Sequence, residues 1–153
     1  MADMLVRLYS LPDHHKILKE GYVVRRPAAY EKSVIRHWIN QHFSTQWASE
    51  ADVAFSRQPI SCFIALHQER LVGFACYEAT CRGYFGPGGV LEAYRGQGLG
   101  TRLLLECLRA MKEMGYAYAI IGGVGPKDFY VKTVGAIDIP DSTPGIYTAP
   151  LEA

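Results

Sequence analysis

The amino-acid sequence predicts a single α+β domain over residues 1–153, with one strand–helix–strand unit after residue 84. The length of 153 residues is typical of one domain. Hydrophobic residues make up 49% of the chain and charged residues 20%, which suits one core and is unlike a disordered chain. Short apolar runs of strand length alternate with longer segments whose apolar residues recur at helical spacing.

The first 60 residues predict two strands and two helices, with a short helical segment that ends at Gly21. Apolar residues from Val34 to Ile39 recur at helical spacing, and Ser44 or Thr45 is a suitable cap for the helix that follows. The predicted strands are 4–9 and 22–26, the helical segment is 12–20, and the helices are 30–43 and 47–56.

The middle of the chain predicts a hairpin followed by an unusual strand. Residues 60–66 and 71–77 are apolar runs joined by a short polar turn, which is typical of a β-hairpin. Residues 84–91 predict the next strand, although it contains three glycines and a proline. Glycine inside a strand often marks a bulge or a close approach by a ligand, so we expect one of these here.

Residues 98–114 form the clearest helix in the pattern. Its apolar residues make a continuous stripe, which consists of Leu99, Leu103, Leu104, Cys107, Leu108 and Met111. The elements predicted after it are a fully buried strand at 116–121, a short helix from Pro126 to Gly135, and final strands at 136–139 and 146–149.

Charge and cysteine content exclude several classes of protein. Sixteen basic and fifteen acidic side chains give a net charge of +1 with no charged block, so nothing indicates a nucleic-acid partner. No apolar run approaches the roughly 20 residues of a membrane span, and the N-terminus does not resemble a signal peptide. The four cysteines form no CxxC pair, so we expect reduced thiols, a cytoplasmic location and no metal site.

A glycine-rich loop joins the strand at 84–91 to the start of the clearest helix. It reads Arg95, Gly96, Gln97, Gly98, Leu99, Gly100 and Thr101. Glycines let a ligand approach the backbone, and the first N–H groups of a helix point outward with partial positive charge. Such a loop is suited to a phosphate or diphosphate.

The spacing does not match two well-known phosphate motifs. Gly100 is followed by Thr101 and Arg102, so the lysine of a P-loop is absent. The glycines run GxGxG and not GxGxxG, and no acidic residue follows at the distance that dinucleotide folds require. An ordinary strand-to-helix turn remains the alternative on the loop alone.

Two motifs in this order resemble the GCN5-related N-acetyltransferase (GNAT) family. Residues 95–100 (RGQGLG) resemble the family's R/Q-x-x-G-x-G/A signature. Residues 128–136 (DFYVKTVGA) resemble its FYEKLGF segment, with Thr133 inserted and Ala136 in place of the usual Phe. The resemblance is firm over 60–139 and implies a mixed, mostly antiparallel twisted sheet with helices on both faces. Two central parallel strands would splay apart to form a cleft.

The resemblance also implies a cofactor and a reaction. The family uses acetyl-CoA, whose pyrophosphate would lie on residues 95–101 and whose pantetheine arm would pair with the backbone of Val90 and Leu91. Tyr130 would lie near the thioester sulfur. The implied activity is transfer of an acetyl group to a primary amine, on a small molecule or a protein, by direct attack. A non-catalytic acyl-CoA sensor and a domain without a ligand are the alternatives, and dimers are common in the family.

The sequence does not identify the group that takes the proton from the amine. Four side chains are candidates, namely Glu50, His67, Glu78 and Glu92, and a water chain ending on Tyr77 or Tyr84 is an alternative. Where many members carry Asn before the last helix, this chain has Gly123, so that side-chain contact is absent. The helices at 30–56 would form the side of the cleft that binds the amine acceptor.

Overall fold

The structure of this protein is a computed structural model that describes residues 1–13 and 17–153. In these residues it contains seven strands and four α-helices. The strands are β1 Met4–Arg7, β2 Tyr22–Arg25, β3 Cys62–His67, β4 Arg70–Tyr77, β5 Tyr84–Val90, β6 Tyr118–Ile121 and β7 Ile137–Asp138. The helices are α1 Lys32–His42, α2 Thr45–Phe55, α3 Leu99–Glu113 and α4 Lys127–Val134.

The strands form one sheet in the order β2-β3-β4-β5-β6-β1-β7, and every pair is antiparallel except β5 with β6. Successive side chains of a strand point to opposite faces. On β3, Phe63 and Ala65 pack in the core with α3, whereas Cys62 and Ile64 pack with α1 and α2. The predicted mixed sheet with helices on both faces is therefore confirmed.

The parallel pair is short. β5 and β6 pair at Tyr84 with Ile120 and at Phe85 with Ile121. β6 ends there, while β5 continues to Val90 along β4. The two strands therefore part after Phe85, which confirms the predicted splay and leaves a cleft in the sheet.

Helix α3 forms as predicted, within one residue at each end. All six residues of the predicted apolar stripe are buried. Gly98 begins the helix in the left-handed conformation with φ of 86°, which a residue with a side chain adopts only with strain. Burial of this stripe against β3, β4 and β5 fixes the direction of the helix start, where the glycine loop lies.

Two separate structural features are associated with the glycines of β5. The register between β4 and β5 shifts between Ala75 and Tyr77, so the predicted bulge or irregularity is present. A Cβ on Gly89 would lie 2.5 Å from Phe43 Cε1, so the close approach at this position is made by a side chain of the protein. At Gly86, by contrast, the space around a Cβ is open.

Several predicted element bounds are wrong. The strand predicted at 4–9 ends at Arg7, where a 3₁₀ turn follows. β6 is shorter than predicted and only partly buried, since Tyr118 is exposed and Ile120 is half-buried. Pro126 precedes α4 and is not its first residue. The helical segment predicted at 12–20 includes residues 14–16, which lie outside the described residues.

The strand predicted at 146–149 does not form. Proline has no backbone N–H to donate to a sheet, and Pro144 and Pro150 flank this segment. Gly145 adds a left-handed turn with φ of 63°. Residues 146–149 therefore form a loop, which runs next to the cleft. No helix among the described residues is both long enough and apolar enough to cross a bilayer.

Gly89→Ala tests the packing reason for glycine in β5. Phe43 is held between Trp47 and Phe74, at ring distances of 5.3 and 5.6 Å, so it has little room to move from the new methyl group. We expect the free energy of unfolding in urea to fall by about 1–3 kcal/mol. In the control Gly125→Ala, a Cβ meets open space, and we expect a change within about 0.5 kcal/mol. Equal stabilities of the two variants would contradict this explanation.

Candidate active site

Two cavities lie where β5 and β6 part. The first, the α3 cavity, has a volume of about 720 Å³ and lies between β5, the start of α3 and α4. The second, the α2 cavity, has a volume of about 630 Å³ and lies between α2, β5, the loop before α4 and the C-terminal segment. The residues that line both cavities are Trp47, Phe85, Gly88, Pro126 and Tyr130. The cavities therefore meet at one place, next to Tyr130.

Most of the predicted cofactor residues line the α3 cavity. They are Val90, Arg95, Gly96, Gly98, Leu99, Gly100 and Thr101. Gln97 and Leu91 are not among the lining residues. The Leu91 N–H donates to the Val72 carbonyl at 2.9 Å, so this donor is already used inside the sheet.

The loop presents backbone donors to the α3 cavity. Gly96 and Gly98 have φ of 80° and 86°, and a Cβ on Gly96 would meet no atom within 4 Å. The N–H groups of the first helical turn have no partner within the helix. Gly100 and Thr101 lie in this turn and line the cavity, so their N–H groups and the helix dipole make this wall a site for an anion.

Arg95 supplies a positive charge to the same wall. Its Nε donates to the Val90 carbonyl at 3.0 Å, which ties the glycine loop to the end of β5. The Arg95 residue is otherwise exposed, and it lines the α3 cavity. The anion site therefore combines backbone donors with one guanidinium.

Tyr130 lies on α4 at the junction of the two cavities. Its ring packs edge-on against Phe85 and Phe129, at 6.3 and 5.1 Å between centroids. Burial raises the pKa of the Tyr130 hydroxyl to about 12. Within the described residues no hydrogen bond is made by this hydroxyl, so it is a neutral donor that is open to a ligand.

Glu50 is the base candidate that lines the α2 cavity. It lies on α2, and burial raises its pKa, while hydrogen bonds from Thr80 and Tyr147 act in the opposite direction. The Tyr147 hydroxyl donates to Glu50 Oε1 at 3.4 Å, which is a long hydrogen bond. Of the lining residues that the structure describes, Glu50 has the one charged side chain.

The other base candidates lie outside both cavities. Glu78 is buried, and its Oε1 accepts from the Gly83 N–H at 2.5 Å, so it stabilises the turn between β4 and β5. His67 is stacked on Tyr22 at 4.3 Å, and Glu92 is exposed in a short turn.

The two tyrosines proposed as ends of a water chain also lie outside both cavities. The Tyr77 hydroxyl accepts from Arg26 Nη1 at 2.7 Å on the buried face of β4. The Tyr84 ring packs close to Gly122, where a Cβ would lie 3.0 Å from its Cε2. Neither tyrosine lines the α2 cavity.

The cysteines do not supply a nucleophile to the cleft. Cys62 and Cys76 are paired across β3 and β4, and both are buried. A hydrogen bond with Cys62 and burial raise the pKa of Cys76, and burial raises the pKa of Cys107, so these two thiols stay protonated. Among the described residues, no group of three or more His, Cys, Asp and Glu side chains is placed to hold a metal ion.

A buried network holds the C-terminal wall of the α2 cavity. The Asp3 N–H donates to Ser142 Oγ at 2.8 Å, and Ser142 Oγ donates to the Ile139 carbonyl at 2.6 Å. Asp3 Oδ1 accepts from the Gly123 N–H at 2.9 Å. These bonds fix the segment that places Tyr147 on the cavity, and the sequence pattern offered no sign of them because the partners are about 120–139 residues apart.

Comparison with known proteins decides the family. The model of the acetyltransferase (GNAT) family matches residues 15–135, which is most of the chain. The chain belongs to the GNAT family. An N-alpha-acetyltransferase MAK3 of Arabidopsis thaliana is 36% identical over 62 residues, covering 37% of this chain and 33% of that protein. The matched part of this GNAT chain is thus about a third of the length of that relative.

Solved structures of GNAT proteins show the same fold. An acetyltransferase from Sphaerobacter thermophilus has a TM-score of 0.70 at 18% identity, with 90% of this chain and 48% of that chain covered. A Brucella melitensis GNAT protein in complex with acetyl-CoA has a TM-score of 0.57 at 17% identity, covering 78% and 91%. At these identities the likeness supports the fold and not the choice of acceptor.

Ser142→Ala tests whether the buried network holds the C-terminal wall. The substitution leaves the Asp3 N–H buried without its partner, so we expect the free energy of unfolding in urea to fall by about 1–3 kcal/mol. The control is Ser56→Ala, which removes an exposed bond from Ser56 Oγ to the Val53 carbonyl. We expect that control to change stability by less than about 0.5 kcal/mol. A loss that is equal in both variants would mean that the network does not hold the segment.

Proposed function

We propose that this GNAT protein transfers an acetyl group from acetyl-CoA to a primary amine by direct attack. The observation that carries the proposal is the meeting of two cavities at Tyr130, with an anion site in one and a carboxylate in the other. A Brucella melitensis relative is known in complex with acetyl-CoA and an Escherichia coli relative, YhbS, in complex with CoA, which supports this cofactor.

The α3 cavity fits the cofactor in shape and charge. The open space around Gly96 and the free N–H groups at Gly100 and Thr101 suit a diphosphate, whose charge Arg95 also balances. The backbone of Val90 would meet the pantetheine arm between this loop and the junction. When bound, acetyl-CoA supplies an acyl group activated as a thioester.

Tyr130 stabilises the leaving sulfur as a hydrogen-bond donor and keeps its own proton. A thiol has a pKa of about 8.5, and Tyr130 has a pKa of about 12. Full proton transfer from Tyr130 to the thiolate is therefore uphill by about 5 kcal/mol. A neutral hydroxyl aimed at the developing negative charge lowers the barrier without that cost.

The α2 cavity favours an enzyme over a module that only senses acyl-CoA. A sensor needs the α3 cavity alone, whereas this chain keeps a second cavity that reaches Tyr130 from the opposite side. The decisive experiment is release of the CoA thiol from acetyl-CoA with and without a panel of amines. Binding without any amine-dependent release would support the sensor.

Gly100→Val tests the diphosphate site with little strain. A Cβ on Gly100 would make ordinary contact with Phe129 Cζ at 3.7 Å, whereas Gly98 has a positive φ that forbids a clean substitution. We expect the variant to fold and its acetyl-CoA affinity, measured by calorimetry, to fall at least about tenfold because the side chain occupies the cavity. The control Glu113→Val, at the exposed end of α3, should bind as the parent does.

Acetyl-pantetheine, which lacks the diphosphate, is the matched ligand control. It should bind parent and Gly100→Val equally weakly. If the parent binds acetyl-pantetheine as tightly as acetyl-CoA, the loop does not hold the diphosphate.

Tyr130→Phe tests the role of the hydroxyl at the junction. The ring stays packed on Phe85, so we expect acetyl-CoA affinity within about threefold of the parent. We expect the single-turnover rate to fall about 10²-fold. Because the pKa of Tyr130 is about 12, the ratio of parent to variant rates should stay constant from about pH 6 to 10. A variant within threefold of the parent would show that Tyr130 serves only in packing.

A further inference from the structure

The α2 cavity combines a single carboxylate with apolar walls. Its lining contains four aromatic side chains, which are Trp47, Phe85, Tyr130 and Tyr147. Glu50 carries the one charge among the described lining side chains, and no Lys, Arg or His is among them. A cavity with these walls fits an apolar ligand that carries one positive charge.

Glu50 is held so that it can exchange its partner. Besides the hydrogen bond from Thr80, Glu50 accepts one from the Tyr147 hydroxyl that is 3.4 Å long, so a ligand N–H at ordinary distance replaces this second bond at little cost. Tyr147 and Cys76 are its titratable neighbours among the described residues. Burial raises the pKa of Tyr147, and a hydrogen bond with Cys62 together with burial raises the pKa of the Cys76 thiol, so both keep their protons. Glu50 therefore supplies the one carboxyl group among the described lining residues, and Met1 lies at the exposed rim.

We propose that the α2 cavity takes a primary monoamine on an aromatic or other apolar body, and that Glu50 binds its ammonium group and accepts its proton. This inference rests on the proposed acetyl transfer. An ammonium proton passes to the Glu50 carboxylate, and the freed nitrogen lone pair forms the bond to the acetyl carbon as the carbon–sulfur bond breaks. The thiolate leaves beside Tyr130 and takes the second amine proton, and Glu50 returns its proton to solvent.

The proposed base comes from helix α2 because the part of the strand at the junction has no titratable side chain. β5 passes the junction as Gly86, Pro87, Gly88 and Gly89, and none of these has a titratable side chain. α2 lies across the cleft, and its Trp47 lines both cavities while Glu50 lines the α2 cavity one turn further along. One face of α2 thus carries both an aromatic wall and the carboxylate.

The charge count also sets the specificity. A second ammonium group on the acceptor would lie in an apolar cavity without a second acid, and an acceptor carboxylate would lie there without a basic partner. An aromatic ring on the acceptor gains contact with Trp47 and Tyr147, and its ammonium gains cation–π attraction from the same rings. Phenethylamine is therefore expected to be a better acceptor than spermidine or glycine.

The experiment compares parent, Glu50→Gln and Asp52→Asn with phenethylamine, spermidine and glycine as acceptors. Asp52 is on the same helix, but its carboxylate pairs with Arg36 at 2.7 Å and does not line the cavity. We expect kcat/KM for phenethylamine to fall about 10²-fold or more in Glu50→Gln and to stay within threefold in Asp52→Asn. Binding of phenethylamine without cofactor, by calorimetry, should weaken about tenfold in Glu50→Gln alone.

A pH profile separates proton transfer from packing. A base works when it is deprotonated, so the parent kcat/KM should fall as the pH falls through the Glu50 pKa, which burial raises above its usual range. This acid limb should be absent in Glu50→Gln and return in Glu50→Asp. A Glu50→Gln rate within threefold of the parent, or a preference for spermidine or glycine, overturns the inference.

Acetyl-CoA affinity separates this inference from the proposed function. Glu50 is not among the residues that line the α3 cavity, so all variants should bind acetyl-CoA as the parent does. If the parent acetylates spermidine or glycine and not phenethylamine, the acetyl transfer stands and the acceptor class is wrong. If the parent binds acetyl-CoA and acetylates no amine, both proposals fail.

Discussion

The short pairing of β5 with β6 is the constraint on which the site depends. Two residue pairs hold these parallel strands together, and past Phe85 and Ile121 the edge of β5 that faced β6 no longer has a partner strand. A sheet normally satisfies such groups with a neighbour. Here the gap opens on both faces of the sheet, so one cavity forms beside α3 and another beside α2, and they meet at the point of separation.

The glycines of β5 leave this strand without a reactive side chain at the cleft. Gly88 packs on Ala75, and Gly89 leaves room for Phe43, so this part of the strand is thin and carries no functional side chain. In the proposed reaction, the hydrogen-bond donor and the base then come from neighbouring helices. Tyr130 of α4 lies at the junction and Glu50 of α2 lines the α2 cavity beside it, and burial raises the pKa of both side chains.

The first strand lies near one edge of the sheet and supports the C-terminal wall of the α2 cavity. β1 lies between β6 and β7, so the N-terminal strand and the last strand are neighbours at this edge of the sheet. Asp3 joins them through its backbone and its carboxylate, to Ser142 and Gly123. A small domain has little apolar surface to spare, and burial of Met4 and Val6 on this strand, with Leu8 just after it, completes the core around α3.

The sequence by itself determined what depends on near neighbours along the chain. The apolar period predicted α3, the Ser44 cap is present at α2, and the glycine loop and the Phe129-Tyr130 segment indicated the family, because these signals span a few residues. Tertiary structure decided which acid faces the cleft, the insertion of β1 and the placement of Tyr147. These depend on contacts between residues about a hundred positions apart, such as Tyr147 with Glu50, which no local period encodes.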